Sequence, residues 1–213
     1  MESDWVDYSG AAFTALPEEL ASRTCAKLNL SGNALTDIVE GALDFESILS
    51  LDLSKNAFIE LPAQLQSCTA LQQFSASSNR ISVIPEHLTQ LTALVKLNMA
   101  ANKLEVVGST VPALTSLQSL CLAQNQLTEL PTSLRKLSHL TALDMSRNRI
   151  SVLPEIFGSM SQLVTLKVCP LPACTSWAKT SECTCCHNSK RQLCMTPGMQ
   201  LPLILTLEAC SCR

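Results

Sequence analysis

The chain has 213 residues, of which 46% are apolar and 4% are aromatic, and its net charge at pH 7 is -3. This length and apolar content predict one folded domain, or slightly more, with a sizeable aliphatic core, and they exclude disorder of the whole chain. Basic residues are too sparse for a nucleic-acid-binding protein, and no apolar run approaches the roughly 18 residues that a membrane span needs.

The sequence starts with the acidic segment "MESDWVDYSG", which has neither the basic region nor the apolar stretch of a secretory signal. We therefore expect a cytoplasmic protein. Thiols stay reduced in that compartment, so the 11 Cys predict buried thiols or metal ligands more readily than a disulfide framework.

Internal repeats fill the chain from about residue 25 to residue 168. Six segments align without a gap at a period of 23 residues, and each has Asn at the same place: Asn33, Asn56, Asn79, Asn102, Asn125 and Asn148. The segments read "CAKLNLSGNAL", "ILSLDLSKNAF", "LQQFSASSNRI", "LVKLNMAANKL", "LQSLCLAQNQL" and "LTALDMSRNRI". A related half-pattern, "VDYSGAAFTALP", has Ala11 in the Asn place and predicts an atypical first coil over about residues 5–24.

The pattern L-x-x-L-x-L-x-x-N-x-L that these segments share resembles that of the leucine-rich repeat family. The resemblance implies an α/β solenoid, in which a curved, right-handed coil carries a parallel β-sheet on its concave side and 3-10 or short helical segments on its return side. A single coil buries too few side chains to offset the entropy of ordering it, so the copies are predicted to stack.

The residue types explain this spacing. Alternate residues of a strand point to opposite sides, so pairs such as Leu28 and Leu30 are predicted to face inward. An Asn side chain has both donors and an acceptor, so the six Asn are predicted to form a ladder that pairs with buried amides of each turn. Pro, which has a fixed φ and no N–H, recurs on the return side at Pro62, Pro85, Pro131 and Pro154. Apolar residues at steps of three predict 3-10 or short helical return segments.

The repeats stop after residue 168. The next Asn is due at position 171, where the chain has Leu171 between Pro170 and Pro172, and eight of the 11 Cys follow residue 168. We therefore predict a leucine-rich repeat solenoid over residues 1–168 and a Cys-rich tail over residues 169–213. The tail is interpreted as a cap, a poorly structured end or an alternative end of a longer array. Within it, the alternating apolar residues of "LPLILTL" at 201–207 are compatible with a strand across the end of the core.

Zinc binding by the tail is the alternative function. Reduced thiolates and imidazole are zinc ligands, and the candidates are Cys183, Cys185, Cys186, His187 and Cys194. Against a site, the spacing lacks a paired C-x-x-C, and the adjacent Cys185 and Cys186 would project apart. A cap of the secreted type and a prenylated end are disfavoured by the missing signal sequence and by the final Arg213. We expect no cofactor.

Catalytic chemistry is not predicted. Cys121 is expected to project from the concave sheet, whereas His87 and His139 fall in return segments on the opposite side, so no Cys–His pair can meet. The chain has no Gly-rich phosphate loop, H-E-x-x-H or G-x-S-x-G motif. Cys25 and Cys68 take apolar positions of the repeats and are predicted to be core thiols.

Two surfaces remain for binding. The outward concave positions are small and polar and offer no Trp, Tyr or Arg anchor, and their charged or amide-bearing candidates are Asp52, Asn98 and Asp144. Basic residues beside the Asn ladder predict a strip along one rim: Lys55, Arg80, Lys103, Arg147 and Arg149. Residues 1–60 contain 11 acids and 3 bases, whereas residues 61–168 contain 5 acids and 8 bases, so the array is electrostatically polar.

The 23-residue form with "LP" after each Asn is similar to intracellular leucine-rich repeat proteins of the Ras-suppressor and plant Ras-group type. This resemblance implies a non-catalytic protein–protein interaction scaffold in signal transduction. We therefore expect a protein partner, without nucleic acid or a membrane span. The identity of the partner and the oligomeric state stay open.

Overall fold

A computed structural model describes residues 5–18, 20, 24–39, 41, 44–151, 153–168 and 206–207. Within these ranges, nine short strands form one parallel sheet in chain order. They are β1 (Trp5–Asp7), β2 (Lys27–Asn29), β3 (Ser50–Asp52), β4 (Gln73–Ser75), β5 (Lys96–Asn98), β6 (Ser119–Cys121), β7 (Ala142–Met145), β8 (Thr165–Val168) and β9 (Thr206–Leu207). Each repeat therefore adds one strand beside the strand of the repeat before it.

The register of the sheet places equivalent residues of successive repeats side by side. Leu51 pairs with Leu28 on one side and with Phe74 on the other, and both partners are 23 residues away. In β3 the middle residue is buried while both of its neighbours face outward, because alternate residues of a strand point to opposite sides. The solenoid that the repeats predict is thereby confirmed.

The interior of the stack is an almost purely aliphatic core. The same positions of every coil fill it, and Phe58, Phe74 and Phe157 are its largest fully buried side chains. Burial of one such side chain contributes about 1.5–3 kcal/mol. Because each coil covers the faces of its two neighbours, these contributions are realised only when the coils stack.

Short helices form the return side, as the apolar steps of three predict. Four are 3-10 helices, which span Ala63–Ser67, Glu86–Gln90, Thr132–Lys136 and Glu155–Ser159. Each follows directly after one of the recurring prolines, whose extended backbone ends the preceding loop. In the coil where Gly108 takes the place of Pro, the return segment is instead a short α-helix, Thr110–Ala113. The sequence did not predict this exception.

At the far end of the sheet, β9 pairs in parallel with β8 and places Thr206 beside Thr165. A strand therefore exists in the predicted segment 201–207, and the rest of that segment lies outside the described residues. The described helices include none that is long and apolar enough to cross a membrane.

Candidate functional site

The Asn ladder positions every surface of the solenoid. Asn102 is 7% exposed, and its Oδ1 accepts the backbone N–H of Ile81 at 3.0 Å. Its Nδ2 donates to the carbonyl oxygens of Ala76 at 2.9 Å and Met99 at 3.1 Å. Ile81 and Ala76 belong to the preceding coil, so one side chain closes its own turn and fastens that turn to the coil before it.

The same bonds recur at all six ladder positions. The Oδ1 atom accepts an N–H that lies 20 or 21 residues earlier in the chain. The Nδ2 atom donates to a carbonyl three residues earlier and to a second carbonyl in the preceding coil. The sequence pointed to pairing within each turn, but the links between coils become visible only in the stacked structure.

A second period accompanies the ladder, because the residue before each Asn has a positive φ. These residues are Gly32, Lys55, Ser78, Ala101, Gln124 and Arg147, with φ between 54° and 70°. Left-handed backbone normally calls for Gly, and only one of the six positions has it. The tight turn directs the Asn side chain inward and the residue before it outward. Sequence reasoning missed this feature because the residue types conceal it.

The outward face of the sheet places the three predicted binding residues in one column at the strand ends. The Oδ1 atoms of Asp52, Asn98 and Asp144 each accept the backbone N–H two residues later, at 2.8, 3.1 and 3.0 Å. These side chains therefore also hold the turn that leaves the sheet. Part of their hydrogen-bonding capacity is used by the fold, and the remainder faces solvent.

A shallow depression of about 330 Å³ lies on this face across β3 to β6. Asp52, Lys96, Asn98 and Cys121 are among the residues that line it. Burial raises the pKa of the Cys121 thiol, and the backbone hydrogen bond from Ala123 only partly opposes that shift. A protonated thiol is a weak nucleophile, so the depression offers recognition groups rather than reactive ones.

Neither His residue of the solenoid reaches this thiol. His87 lies in the return helix Glu86–Gln90, and the exposed His139 has its Nδ1 at 3.2 Å from the carbonyl oxygen of Thr115. Cys25 and Cys68 are buried in the core, where desolvation raises the pKa of Cys68 to about 12. These are the positions that the repeat pattern indicated for the four residues.

The face also has an aromatic side chain that the sequence analysis overlooked. Trp5 pairs in register with Lys27, so it begins the first outward column of the sheet, and it is 57% exposed. The expectation of a face without a Trp, Tyr or Arg anchor is therefore wrong. Val6, which occupies the buried place equivalent to Leu28, is the signal that could have identified Trp5 as an outward residue.

The basic residues beside the ladder form two rows. Arg80, Lys103 and Arg149 each follow an Asn, and their backbone N–H groups donate to carbonyls of the preceding coil at 2.8, 2.8 and 2.9 Å. Lys55 and Arg147 instead occupy the positive-φ place before an Asn. All five side chains are exposed. Because the coil-to-coil bonds fix the backbone of the first row, these charges follow one edge of the stack, with Gln126 between Lys103 and Arg149.

No group of three potential metal ligands occurs in the part of the chain that the structure describes. The zinc candidates Cys183, Cys185, Cys186, His187 and Cys194 lie outside those residues. The zinc hypothesis therefore stays a prediction from sequence.

Comparisons with known proteins agree with the repeat pattern and the single parallel sheet. The family model described as "Leucine rich repeat" matches residues 92–150 and 115–168. This chain belongs to the leucine-rich repeat family. Members of this family are typically binding scaffolds for other proteins rather than enzymes, and that general role applies here. No curated protein matches the chain by sequence.

Two solved structures illustrate the similarity of fold. A leucine-rich repeat protein of Leptospira interrogans has a TM-score of 0.60 and 23% identity, over 73% of this chain and 46% of its own length. An internalin (InlF) of Listeria monocytogenes has a TM-score of 0.58 and 23% identity, over 73% of this chain and 52% of its own length. The chain thus spans about half the length of these leucine-rich repeat proteins.

Proposed function

We propose that this solenoid is a cytoplasmic scaffold in signal transduction that binds an acidic protein partner through its basic rim. The observation that carries the proposal is the row of Arg80, Lys103 and Arg149, whose exposed cations are held along one edge by backbone bonds between coils. Within the described residues, none of the three forms an ion pair. Their charge is therefore available to a partner.

The sheet face supports the same role. Its depression of about 330 Å³ is lined by donors, acceptors and one ammonium group, and Trp5 adds an exposed aromatic side chain at one end of the sheet. Aromatic residues that combine an apolar body with a polar tip are common anchors at protein interfaces. A partner that meets the rim can extend onto this face, where Asp52, Asn98 and Asp144 follow one another at the strand ends.

Affinity capture tests the proposal. The full chain, immobilised and exposed to a cell extract, is expected to retain one or more acidic proteins that the Arg80→Glu/Lys103→Glu variant does not retain. The matched control is Arg135→Glu/Lys136→Glu, which makes the same change in net charge at two exposed positions of the return side. Equal retention by both variants would overturn the rim as the binding surface.

A further inference from the structure

An apolar strip lies beside the basic rim on the flank that leaves the sheet. Ile59, Val83 and Val106 belong to three successive coils, and their side chains are 61%, 60% and 51% exposed. The large apolar residues elsewhere in the described coils are mostly buried in the core. Three β-branched side chains, more than half exposed in adjacent coils, form a continuous patch rather than scattered surface residues.

Hydrogen bonds between coils fix this strip on both sides of Val83. The carbonyl oxygen of Ile81 accepts the N–H of Lys103 at 2.8 Å, and that of Ile84 accepts Oγ1 of Thr110 at 3.4 Å. The segment that contains Val83 is therefore held against the segment that contains Val106. On the other side, the carbonyl of Phe58, the residue before Ile59, accepts the N–H of Arg80 at 2.8 Å.

Charge surrounds the strip in a defined order. Arg80 and Lys103 stand two or three residues before Val83 and Val106, on the side toward the sheet, and both are exposed. Glu60 follows Ile59 directly, and Glu105 precedes Val106. A complementary surface needs apolar side chains in the middle, carboxylates toward the sheet side, and a basic or donor group near the glutamates.

The spacing of the strip favours a helix as the occupant. Parallel strands lie about 4.8 Å apart, so the coils repeat at that distance near the sheet, whereas one turn of an α-helix rises about 5.4 Å. Apolar residues at positions i, i+4 and i+7 of a helix along the stack would therefore meet the three coils in succession. An extended segment would place its same-face residues about 6.6 Å apart and lose this match.

We propose that the strip of Ile59, Val83 and Val106 docks an amphipathic helix of a partner protein, with apolar residues at i, i+4 and i+7 and acidic residues on the side toward Arg80 and Lys103. This inference rests on the proposed function, because it specifies the chemistry of the acidic partner that the rim attracts. The rim supplies long-range attraction, and the strip supplies the desolvated contact.

Selection of peptides on the full chain tests the docking site. The probe is a displayed library of random 16-residue peptides, from which the tightest binders are sequenced, synthesised and titrated by fluorescence anisotropy. We expect binders with the i, i+4, i+7 apolar spacing and acidic residues on one flank, and helical circular dichroism on binding. Binders that lack this pattern, or no binders at all, would overturn the inference.

Variants separate the strip from the rim. Val83→Ser/Val106→Ser is expected to weaken the selected peptide by roughly tenfold, because two partly buried contacts are lost. The control Leu49→Ser/Val164→Ser changes two exposed apolar residues that directly precede strands, and it should leave the affinity unchanged. Both pairs are exposed, so the melting transitions should agree with that of the unmodified chain.

Three further outcomes are decisive. If Arg80→Glu/Lys103→Glu abolishes binding while Val83→Ser/Val106→Ser has no effect, the rim function stands and the apolar docking site is wrong. If the apolar variant weakens binding and the rim variant does not, the acidic flank assigned to the helix is wrong. If sedimentation shows a dimer of the chain that Val83→Ser/Val106→Ser dissociates, the occupant is a second copy, and the inference of a partner helix is overturned.

Discussion

The two sides of the solenoid are held together by different forces. On the sheet side, every coil is bound to the next by strand pairing and by an Asn side chain such as Asn102. On the return side, adjacent helices are joined mainly by packing of residues such as Leu65 and Leu88. The directional bonds explain why the sheet side repeats without variation, while the return side tolerates both 3-10 and α-helical segments.

The same contrast appears in how well polar groups are satisfied. Asn102 uses its oxygen and its amide on the sheet side, whereas Oε1 of Gln64 and Nε2 of His87, both buried on the return side, have no hydrogen-bond partner among the described residues. Gln64 and His87 occupy equivalent places, 23 residues apart. Specific alignment of coils is therefore assigned to the ladder, and the return side contributes apolar burial.

The largest effect is expected from the ladder. Asn102→Ala leaves buried backbone groups of two coils without partners, which should cost about 1–3 kcal/mol of unfolding free energy. The control is Gln126→Ala, a partly exposed residue one position after the next ladder Asn. Chemical denaturation of both variants measures the difference. Equal midpoints would remove the contrast between the two sides.

A change of opposite sign is expected on the return side. His87→Leu replaces a buried nitrogen that lacks a partner, so it should stabilise the fold by about 1 kcal/mol or slightly more. His139→Leu, at an exposed return position, should change stability much less. Thermal unfolding at pH 8 compares them with both imidazoles neutral. Loss of stability in His87→Leu would mean that His87 is satisfied in solution.

A smaller effect is expected at the positive-φ turns. Ala101 has a φ of 55°, so Ala101→Gly relieves left-handed strain that offsets the extra chain entropy of Gly, and stability should be unchanged or raised by up to about 1 kcal/mol. Ala100→Gly, at the preceding position, has no strain to relieve and should lose about 0.5–1 kcal/mol. Denaturation midpoints that fall equally in both variants would contradict the account of these turns.

Much of the fold follows from the sequence because short-range constraints repeat. The alternation around Leu51 predicts its strand, and the "LP" pairs with apolar steps of three predict the return segments. The coil-to-coil bonds of Asn102 could not be predicted, since they join residues 21 and 26 positions apart that meet only after stacking. Ala101 conceals a positive φ because its residue type gives no sign of one.

The candidate surfaces were predicted less completely. The rim could be placed because Arg80 and Lys103 follow equivalent Asn residues in the sequence. Trp5 was missed because the first coil is one residue shorter than the others, which hides its register with Lys27. The strip of Ile59, Val83 and Val106 was missed because its members occupy two neighbouring positions of the repeat, so no single column of the sequence displays it.

The association rate of a captured partner tests the central claim most directly. The variant Arg80→Glu/Lys103→Glu/Arg149→Glu should bind an acidic partner more slowly at low ionic strength, by roughly one to two orders of magnitude, and the difference should fade as salt rises. Its melting transition should match that of the unmodified chain, because the three side chains are exposed. An unchanged association rate at low salt, in a variant that melts normally, would contradict the rim and shift the interface to the sheet face around Asp52, Asn98 and Asp144.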